Sequence, residues 1–404
     1  MDPAAPFMAR VAMKARHFRA ALGWGGAFGG GVLLALLCAC LLAAPWVWSD
    51  GAYDRQDRAA RHLPPVWWPH DDEQLDRLRS AARERAAAAE STLRGIPAEA
   101  LTREAWTPSE QQVGQAMPSY LLGTDLFGRD VLVRCLAGGS VSLAVGLLAA
   151  GISVVVGTLW GALAAWRGGR TDALLMRTVD VLYGLPYVLL VVLVGVAADG
   201  VLDRIQESRS REARRQRESF VAASIELAPG DARTRASAES QALELYGTGA
   251  LPGAFAQSVG MLTLAVAIGG VSWLTLARVV RGQVLSLKNR PFVEAARAVG
   301  VGPVRLFMRH LLPNLAGPVI VYATLTIPQA MLQESFLSFL GIGVRPPLPS
   351  WGNMVADGLG ELNPVRSNWW LLVFPCLLLA ATLLSLNLLG ESLRAASDPR
   401  ARTR

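Results

Sequence analysis

The sequence predicts an all-α polytopic membrane protein with six transmembrane helices and helical insertions outside the membrane. Of its 404 residues, 52% are hydrophobic and only 18% are charged, which is a low charged fraction for a soluble globular protein. The apolar residues are concentrated in runs without any charge. Each run can supply the roughly 20 apolar residues that a helix needs to cross a bilayer.

The charge-free runs give the order of the spans. They cover residues 20–49, 135–166, 181–198, 245–277, 311–333 and 367–390. The first span is expected within residues 1–49, after a cytoplasmic N-terminus. The third run is the shortest, and Pro186 interrupts it. Neighbouring helices can satisfy the carbonyl that a proline frees, so a span is still expected there. The later spans are expected at about 138–166, 180–198, 258–277, 313–334 and 368–390.

The distribution of charge predicts that both termini are cytoplasmic. With that orientation the inner segments carry 18 Lys and Arg against 6 Asp and Glu, and the outer segments carry 21 against 26. The inner segments have 80 residues and the outer ones 164, so basic residues are nearly twice as dense inside. This is the excess that the positive-inside rule describes. No basic patch with interleaved aromatic residues is present, and no nucleic-acid partner is expected.

Residues 50–134 form the large outer segment of this topology. Prolines flank Trp67 and Trp68 and make that stretch rigid and extended. The alanine-rich stretch from Asp71 to Arg94 predicts a helix that Gly95 and Pro97 end. This helix is either a solvated scaffold or a contact surface for a partner.

The stretch from Gly25 to Trp48 is too long for a signal-peptide core, so the first span should be retained.

Residues 291–313 are a polar segment between two apolar runs. Pro291 suits the first position of a helix, and Gly300 suits the position just past its end. Helical spacing places Phe292, Ala295, Ala296 and Val299 on one apolar face, and it is repeated by Val304, Phe307, Met308 and Leu311. The pattern predicts two short amphipathic helices joined at a glycine. They either lie on the membrane surface or dock against a partner.

The residues of this segment resemble the EAA loop of ABC-importer permeases, through Glu294-Ala295-Ala296, Gly300 and Leu312-Pro313. His310 departs from the general pattern but is usual in the peptide-importer branch. The resemblance implies the type I ABC-importer permease fold, with residues 278–312 as a cytoplasmic coupling loop that seats in a groove of a separate ATPase subunit. The ATPase-coupling residues that it implies are Glu294, Ala295, Ala296, Arg297, Gly300, His310 and Pro313.

A second motif lies just before the second span, and its residues are Gly123, Thr124, Asp125, Gly128, Arg129 and Asp130. Helix caps and turns would account for many of these residues. The stretch also resembles the GTDxxGRD sequence of the C-type permease of dipeptide and oligopeptide importers. Residues 341–357 and the ending at Asp398-Pro399-Arg400 resemble the same family. The resemblance implies a permease domain over 135–400. Residues 199–254 are then a periplasmic insertion, with a folded helical hairpin expected in 199–244.

Individual polar residues in or beside the spans have several interpretations. Asp180 could pair with Arg177, one helical turn away. Glu334, near the outer end of the fifth span, has either a pathway or pairing role or is an acid solvated from outside. Gln333 and Asn387 are further candidates for a pathway or gate.

The cysteines lie in apolar runs without CxxC spacing, which favours core packing over a metal site: Cys38, Cys40, Cys135 and Cys376.

The sequence has no G-x-x-x-x-G-K-[ST] motif, and its histidines are scattered. No catalytic residue, metal or bound cofactor is therefore expected, and ATP and Mg²⁺ would be used by partner subunits.

The resemblance implies a permease subunit of the inner membrane that forms half of a peptide pore. Its partners would be a homologous second permease, two ABC ATPases and a periplasmic solute-binding protein. Nickel chelates, glutathione and opine-like solutes are alternative cargoes. An ion-coupled carrier and a membrane enzyme or scaffold are alternatives from other classes.

Overall fold

The computed structural model describes residues 7–95, 107–227, 232–249, 253–362 and 367–397. Within these ranges the regular structure is helical, and the only bridges between extended residues are two isolated ones. The helices are α1 Phe7–Trp48, α2 Asp72–Arg94, α3 Glu110–Ala116, α4 Val131–Arg167, α5 Gly169–Tyr183, α6 Tyr187–Leu227, α7 Ala232–Tyr246, α8 Gly253–Lys288, α9 Pro291–Ala298, α10 Pro303–Leu306, α11 Leu312–Phe339, α12 Trp351–Gly360 and α13 Trp370–Ser397. This confirms the predicted all-α class.

Long apolar helices account for most of the predicted spans. Among the described residues, five helical stretches are long and apolar enough to cross a membrane: Trp24–Trp48, Val131–Arg167, Gln257–Lys288, Pro303–Phe339 and Trp370–Ala395. The predicted third span, 180–198, does not form one straight helix. It falls on α5 and α6, which are bent by 95° relative to each other at the break around Pro186. Proline lacks the amide N–H and disfavours a helical residue before it, so the helix breaks there.

The chain divides into two compact units. The first comprises Met1–Leu147 and Gly302–Arg404, and it contains the outer segment as well as α1 and α10 to α13. Helix α1 packs along α13 closely enough that a Cβ at Gly29 would lie 2.8 Å from the Ser385 carbonyl oxygen. Among the residues that the structure describes, Trp351 is the largest fully buried side chain, and its indole N–H donates to the Cys135 carbonyl at 2.9 Å. This bond fixes the start of α12 against α4.

The second unit comprises Leu148–Val301. Its centre is the contact between the second half of α4 and α8. A Cβ at Gly161 would lie 2.2 Å from the carbonyl oxygen of Ala277, so the two backbones meet with no room for a side chain. The Trp160 and Trp273 rings lie 5.0 Å apart at the same contact. Small residues permit this close approach between membrane helices.

The charged segment after the third apolar run is helical. Helix α6 continues without a break from the apolar residues to Leu227, so the expected end of the span at residue 198 is not a helix end. Helix α7 packs back against α6, with the Phe220 and Tyr246 rings 6.0 Å apart. Residues 199–244 thus contain a pair of packed helices. Exposed charges are paired along them at i, i+4 spacing, as in Arg214–Glu218 at 2.8 Å, which keeps a polar helix stable.

The outer segment has a small core of its own. Helix α2 begins after Asp71 and ends at Gly95, which adopts a φ of 65°, as its sequence predicted. Pro97 lies outside the described residues. The core is formed by Ala60, Leu63 and Leu78, with Met117 and Tyr120 packed against them. This core attaches α2 to the loop that carries the predicted GTDxxGRD motif.

Candidate functional site: the coupling loop and the outer motif

Helix α9 has strong start and stop signals. Pro291 occupies its first turn, and the Arg290 carbonyl accepts the amide of Val293 at 2.9 Å. At the other end the amide of Val301 donates to the Ala296 carbonyl at 3.0 Å, and Gly300 has a φ of 81°. This is the Schellman arrangement, in which a residue of left-handed conformation satisfies the last carbonyls. The helix is therefore fixed at eight residues by its own sequence.

Most of the predicted apolar face of α9 is not packed against the rest of the second unit. Val293 is the residue that anchors the helix, with no exposed surface, whereas Phe292 is 40% exposed and Val299 is 84% exposed. Ala295 is exposed and Ala296 is half-buried, and the charged side chains Glu294 and Arg297 are also exposed. The helix thus presents an exposed surface of small, apolar and charged side chains, and Val293 is its buried contact.

Basic residues near the end of α8 hold the neighbouring helix α5 in place. The Arg281 guanidinium donates to both oxygens of Asp172, with distances of 2.6 and 2.7 Å. One turn earlier, Arg278 donates to Asp180 at 2.9 Å and lies 4.1 Å from the centre of the Tyr183 ring. The predicted pairing of Asp180 with Arg177 is wrong, because the carboxylate turns toward the packed helix α8 rather than along its own helix.

Lys288, the last residue of α8, binds the end of α4. Its ammonium group donates to the Ala165 carbonyl at 2.9 Å and to the Trp166 carbonyl at 3.1 Å. The last carbonyls of a helix lack partners within the helix and carry partial negative charge, so a lysine there is favourable. Because Lys288 is two residues before Arg290, this contact fixes the position from which α9 starts.

The second part of the coupling loop lies in the first unit and differs from its prediction. Instead of a separate short helix followed by a span that begins at Pro313, the chain is helical from Pro303 to Phe339. Residues Phe307–Leu311 form one π-helical turn, closed by the Leu312 amide and the Phe307 carbonyl. Pro313 has no amide N–H to donate, and a wider turn before it accommodates the proline in a continuous helix.

The side chains of this part separate into anchors and exposed residues. Leu306 and Leu311 are buried, while Val304 is 71% exposed and Met308 is 58% exposed. His310 is half-buried, and its carbonyl accepts the Asn314 side-chain amide at 2.6 Å. Pro313 is exposed.

The threonine of the outer motif connects that motif to the outer core. Thr124 is fully buried, and its hydroxyl accepts the Leu63 amide at 2.8 Å and donates to the Ala60 carbonyl. The Thr124 carbonyl accepts the indole N–H of Trp370 at 3.1 Å. Gly123 has a φ of 81° and lies against the same indole, so no side chain fits there.

The charged residues of the motif form a buried network. The Asp125 carboxylate accepts the amides of Phe127 and Arg129 and the Arg129 guanidinium, the last at 2.7 Å. Arg129 also donates to Asp54 at 3.0 Å. Arg134, which is 5% exposed, lies 3.6 Å from the Asp125 carboxylate. Both buried guanidinium groups thus lie beside carboxylates, although Nη1 of Arg134 has no hydrogen-bond partner.

Asp130 and Gly128 of the motif fix the start of α4. Asp130 accepts the Leu132 amide at 2.8 Å, so it caps the helix. Burial raises the pKa of its carboxyl group. Gly128 has a φ of 73°, and a Cβ there would lie 1.8 Å from the Asp57 carbonyl oxygen. Caps and turns therefore account for the residue types of this motif, which joins the outer segment to α4 and α13.

The three predicted pathway residues have different environments. Glu334 is fully buried, so the alternative of an acid solvated from outside is wrong. It accepts the Ser338 hydroxyl at 2.7 Å and lies within hydrogen-bonding reach of Ser142 and Ser350. Gln333 is half-buried and Asn387 is exposed. Glu334 therefore links α11 to Ser142 of α4 and to Ser350, the residue that caps α12.

Comparison with known proteins identifies the family. The profile of the binding-protein-dependent transport system inner membrane component matches residues 157–403. The chain belongs to this family. The match begins within α4 and includes α5 to α13. The family has the type I importer permease fold. The protein is thus a multi-pass membrane permease subunit of an ABC importer.

Several relatives of this permease have peptide-transport names. It is 37% identical to the oligopeptide transport system permease protein OppC of Haemophilus influenzae over 70% of this chain and 71% of the relative. It is 36% identical to the dipeptide transport system permease protein DppC of Bacillus subtilis, over 69% and 68%. It is 30% identical to the di/tripeptide transport system permease protein DppC of Pseudomonas aeruginosa, over 93% and 88%. The last match spans 377 residues, so it includes parts of the chain that the other two do not cover.

Sequence reasoning about the permease missed the residues that support the coupling loop. Arg281 and Lys288 belong to no motif, and their partners are more than 100 residues distant in sequence. Arg134 was missed because it stands alone at the start of an apolar run. One signal was present: Arg278 and Arg281 are spaced i, i+3 at the end of an apolar helix, so they share a face.

Proposed function

We propose that this permease forms half of the translocation pore of an ATP-driven peptide importer of the inner membrane. The other half would be a homologous second permease. A periplasmic solute-binding protein would deliver the peptide, and two separate ATPase subunits would bind ATP and Mg²⁺ and supply the energy. This chain would have no catalytic residue of its own.

The exposed face of α9 is the observation that carries the coupling role. A helix that exposes Phe292 and Val299 while only Val293 anchors it leaves apolar surface without a partner in its own unit. Glu294 and Arg297 give that surface charges of both signs. An ATPase groove that received α9 would bury the apolar atoms and pair the charges. Movement of the groove would then reach α5 and α4 through the contacts of Arg281 and Lys288.

The peptide cargo is supported by the names of the relatives. The oligopeptide, dipeptide and di/tripeptide permeases each share at least 30% identity with this chain over 69% of it or more. Nickel chelates, glutathione and opine-like solutes are the competing cargoes. Uptake of a labelled tripeptide by the assembled importer tests the choice. Unlabelled dipeptides and tripeptides should compete, whereas stronger competition by a nickel chelate or glutathione would reassign the cargo.

A charge reversal on α9 tests the coupling role. Glu294→Arg should leave the permease inserted in the membrane, but ATPase co-purification and ATP-dependent uptake should be lost. Glu244→Arg is the matched control, since Glu244 is also exposed but lies on α7. Unchanged uptake and co-purification in Glu294→Arg would contradict the proposal.

Cysteine labelling tests the orientation. In a background with the exposed Cys38 and Cys376 replaced by serine, Val299→Cys should react with an impermeant maleimide only after the cells are permeabilised. Ser219→Cys, on the exposed part of α6, should react in intact cells. The reverse pattern would place α9 outside and contradict the proposed topology.

A further inference from the structure

Three large apolar side chains are exposed together in the proline-rich part of the outer segment. Val66 is 52% exposed, Trp67 is 55% exposed and Trp68 is 46% exposed. The sequence around them is Pro64-Pro65-Val66-Trp67-Trp68-Pro69. A soluble surface seldom exposes adjacent tryptophans, so a cluster of this kind marks a contact with something apolar.

The two tryptophans lie beside the first turn of a membrane span. The Trp67 ring is 6.0 Å from the Trp369 ring and 6.4 Å from the Phe374 ring, and the Trp68 ring is 5.2 Å from the Trp369 ring. The span Trp370–Ala395 begins one residue after Trp369. Phe374 lies four residues inside that span. Residues 64–69 therefore sit at the height where α13 enters the membrane.

A second aromatic group lies at the same height. Helices α1 and α13 run antiparallel, because a Cβ at Gly25 would lie against Leu388 and one at Gly29 against Ser385. Continuing that register brings Trp46 and Trp48, at the end of α1, level with Trp369. Trp46 is 55% exposed and Trp48 is 39% exposed. Both helices thus have tryptophans at the same end.

Hydrogen bonds to the outer segment hold the exposed tryptophans in position. The Trp67 indole N–H donates to the Leu121 carbonyl at 3.0 Å, and the Val66 amide donates to the Tyr120 carbonyl at 3.0 Å. The Trp68 amide closes a turn with the Pro65 carbonyl at 2.8 Å. These three bonds fix the backbone and one indole of the segment, while the rings stay about half exposed.

We propose that residues 64–69 insert into the interfacial layer of the outer leaflet and anchor the outer segment to the lipid. Indole rings favour this layer, where their apolar faces meet acyl chains near polar headgroups. The exposed rings continue the apolar surface of α13, whose Leu377 is 59% exposed. That continuity favours lipid over a protein partner. The proposal rests on the membrane span and is independent of the cargo and of the ATPase.

Spin-label accessibility in liposomes tests the insertion. The full-length permease, with Cys38 and Cys376 replaced by serine, would carry a nitroxide on Trp67→Cys or, separately, on Val66→Cys. The Val66→Cys variant keeps the indole bond to Leu121, so it serves if Trp67→Cys fails to fold. At both positions collisions with oxygen, which concentrates in the bilayer, should exceed those with aqueous nickel chelate several-fold.

The matched control is Arg79→Cys, on the exposed part of α2 in the same outer segment. The nitroxide there should collide mainly with the aqueous nickel chelate. If the labels at positions 66 and 67 behave like the one at position 79, the segment faces water and the proposal is wrong. If they are shielded from both reagents, the rings are covered by protein rather than lipid, which also overturns it.

Discussion

Arg281 of α8 holds Asp172 of α5 through two parallel hydrogen bonds of 2.6 and 2.7 Å. The guanidinium and carboxylate groups are matched in shape, so the pair fixes both distance and orientation. It lies one helical turn from the Arg278–Asp180 bond and two turns before Lys288, which holds the end of α4. This series of basic residues makes the end of α8 the rigid base from which α9 extends.

Loss of the Arg281–Asp172 pair should weaken coupling more than folding. Arg281→Gln removes the charge and leaves Asp172 with at most one hydrogen bond, which should destabilise the protein by about 1–2 kcal/mol. ATP-dependent uptake should fall several-fold as α9 loses its support. Thermal unfolding in detergent and uptake in proteoliposomes measure the two effects. Arg211→Gln, which breaks an exposed pair on α6, should change neither.

A methyl group at Gly161 should separate α4 from α8. Its Cβ would lie 2.2 Å from the Ala277 carbonyl oxygen, a backbone atom that cannot move alone. Gly161→Ala should therefore destabilise the protein by about 1–3 kcal/mol, as overpacking does. Gly151→Ala, on the same helix with nothing within 4 Å of its Cβ, is the control and should be neutral or stabilising by up to about 1 kcal/mol. Equal melting temperatures for the two variants would refute the close contact.

Gly128 should be irreplaceable in the outer motif for two independent reasons. Its φ of 73° is unfavourable for other residues, and a Cβ would meet the Asp57 carbonyl oxygen at 1.8 Å. Gly51→Ala separates these effects, because Gly51 has a φ of 65° but open space around it. The control should lose about 1 kcal/mol from its backbone conformation alone. Gly128→Ala should lose clearly more and should expose the 54–63 loop to protease, and a similar loss in both would rule out the steric effect.

Tyr120 makes the outer segment sensitive to high pH. Burial and the nearby Asp57 carboxylate raise the pKa of Tyr120 from 10.0 to about 12. The folded state thus keeps a proton that the unfolded state loses, so the stabilising effect is complete below about pH 10 and is lost as the pH rises through about 12. Phenolate absorbance should show a late-titrating phase that Tyr120→Phe reduces by the amplitude of one tyrosine. Asp57→Asn should lower its midpoint, and an unchanged midpoint would contradict the role of Asp57.

Local sequence signals predicted the helix ends that have their own caps. The bounds of α2 follow from Asp71 and Gly95, and those of α9 from Pro291 and Gly300, since each cap is made within a few residues. The predictions that failed concern partners that are distant in sequence, or whether a helix continues or breaks at a proline. Asp180 turned to Arg278, and the helix continued through Pro313 although it broke at Pro186. A proline allows either outcome, and the surrounding packing selects one.

The sequence by itself determined that this chain is a helical membrane protein, and its motifs indicated the permease family. Apolar length and charge distribution follow from transfer into lipid, which acts on each segment separately. Only the tertiary structure decided how α9 is held. Val293 rather than the wider apolar face anchors α9, and Arg281 and Lys288 reach helices more than 100 residues away in sequence. Those contacts depend on which helices pack together, and packing is a property of the whole chain.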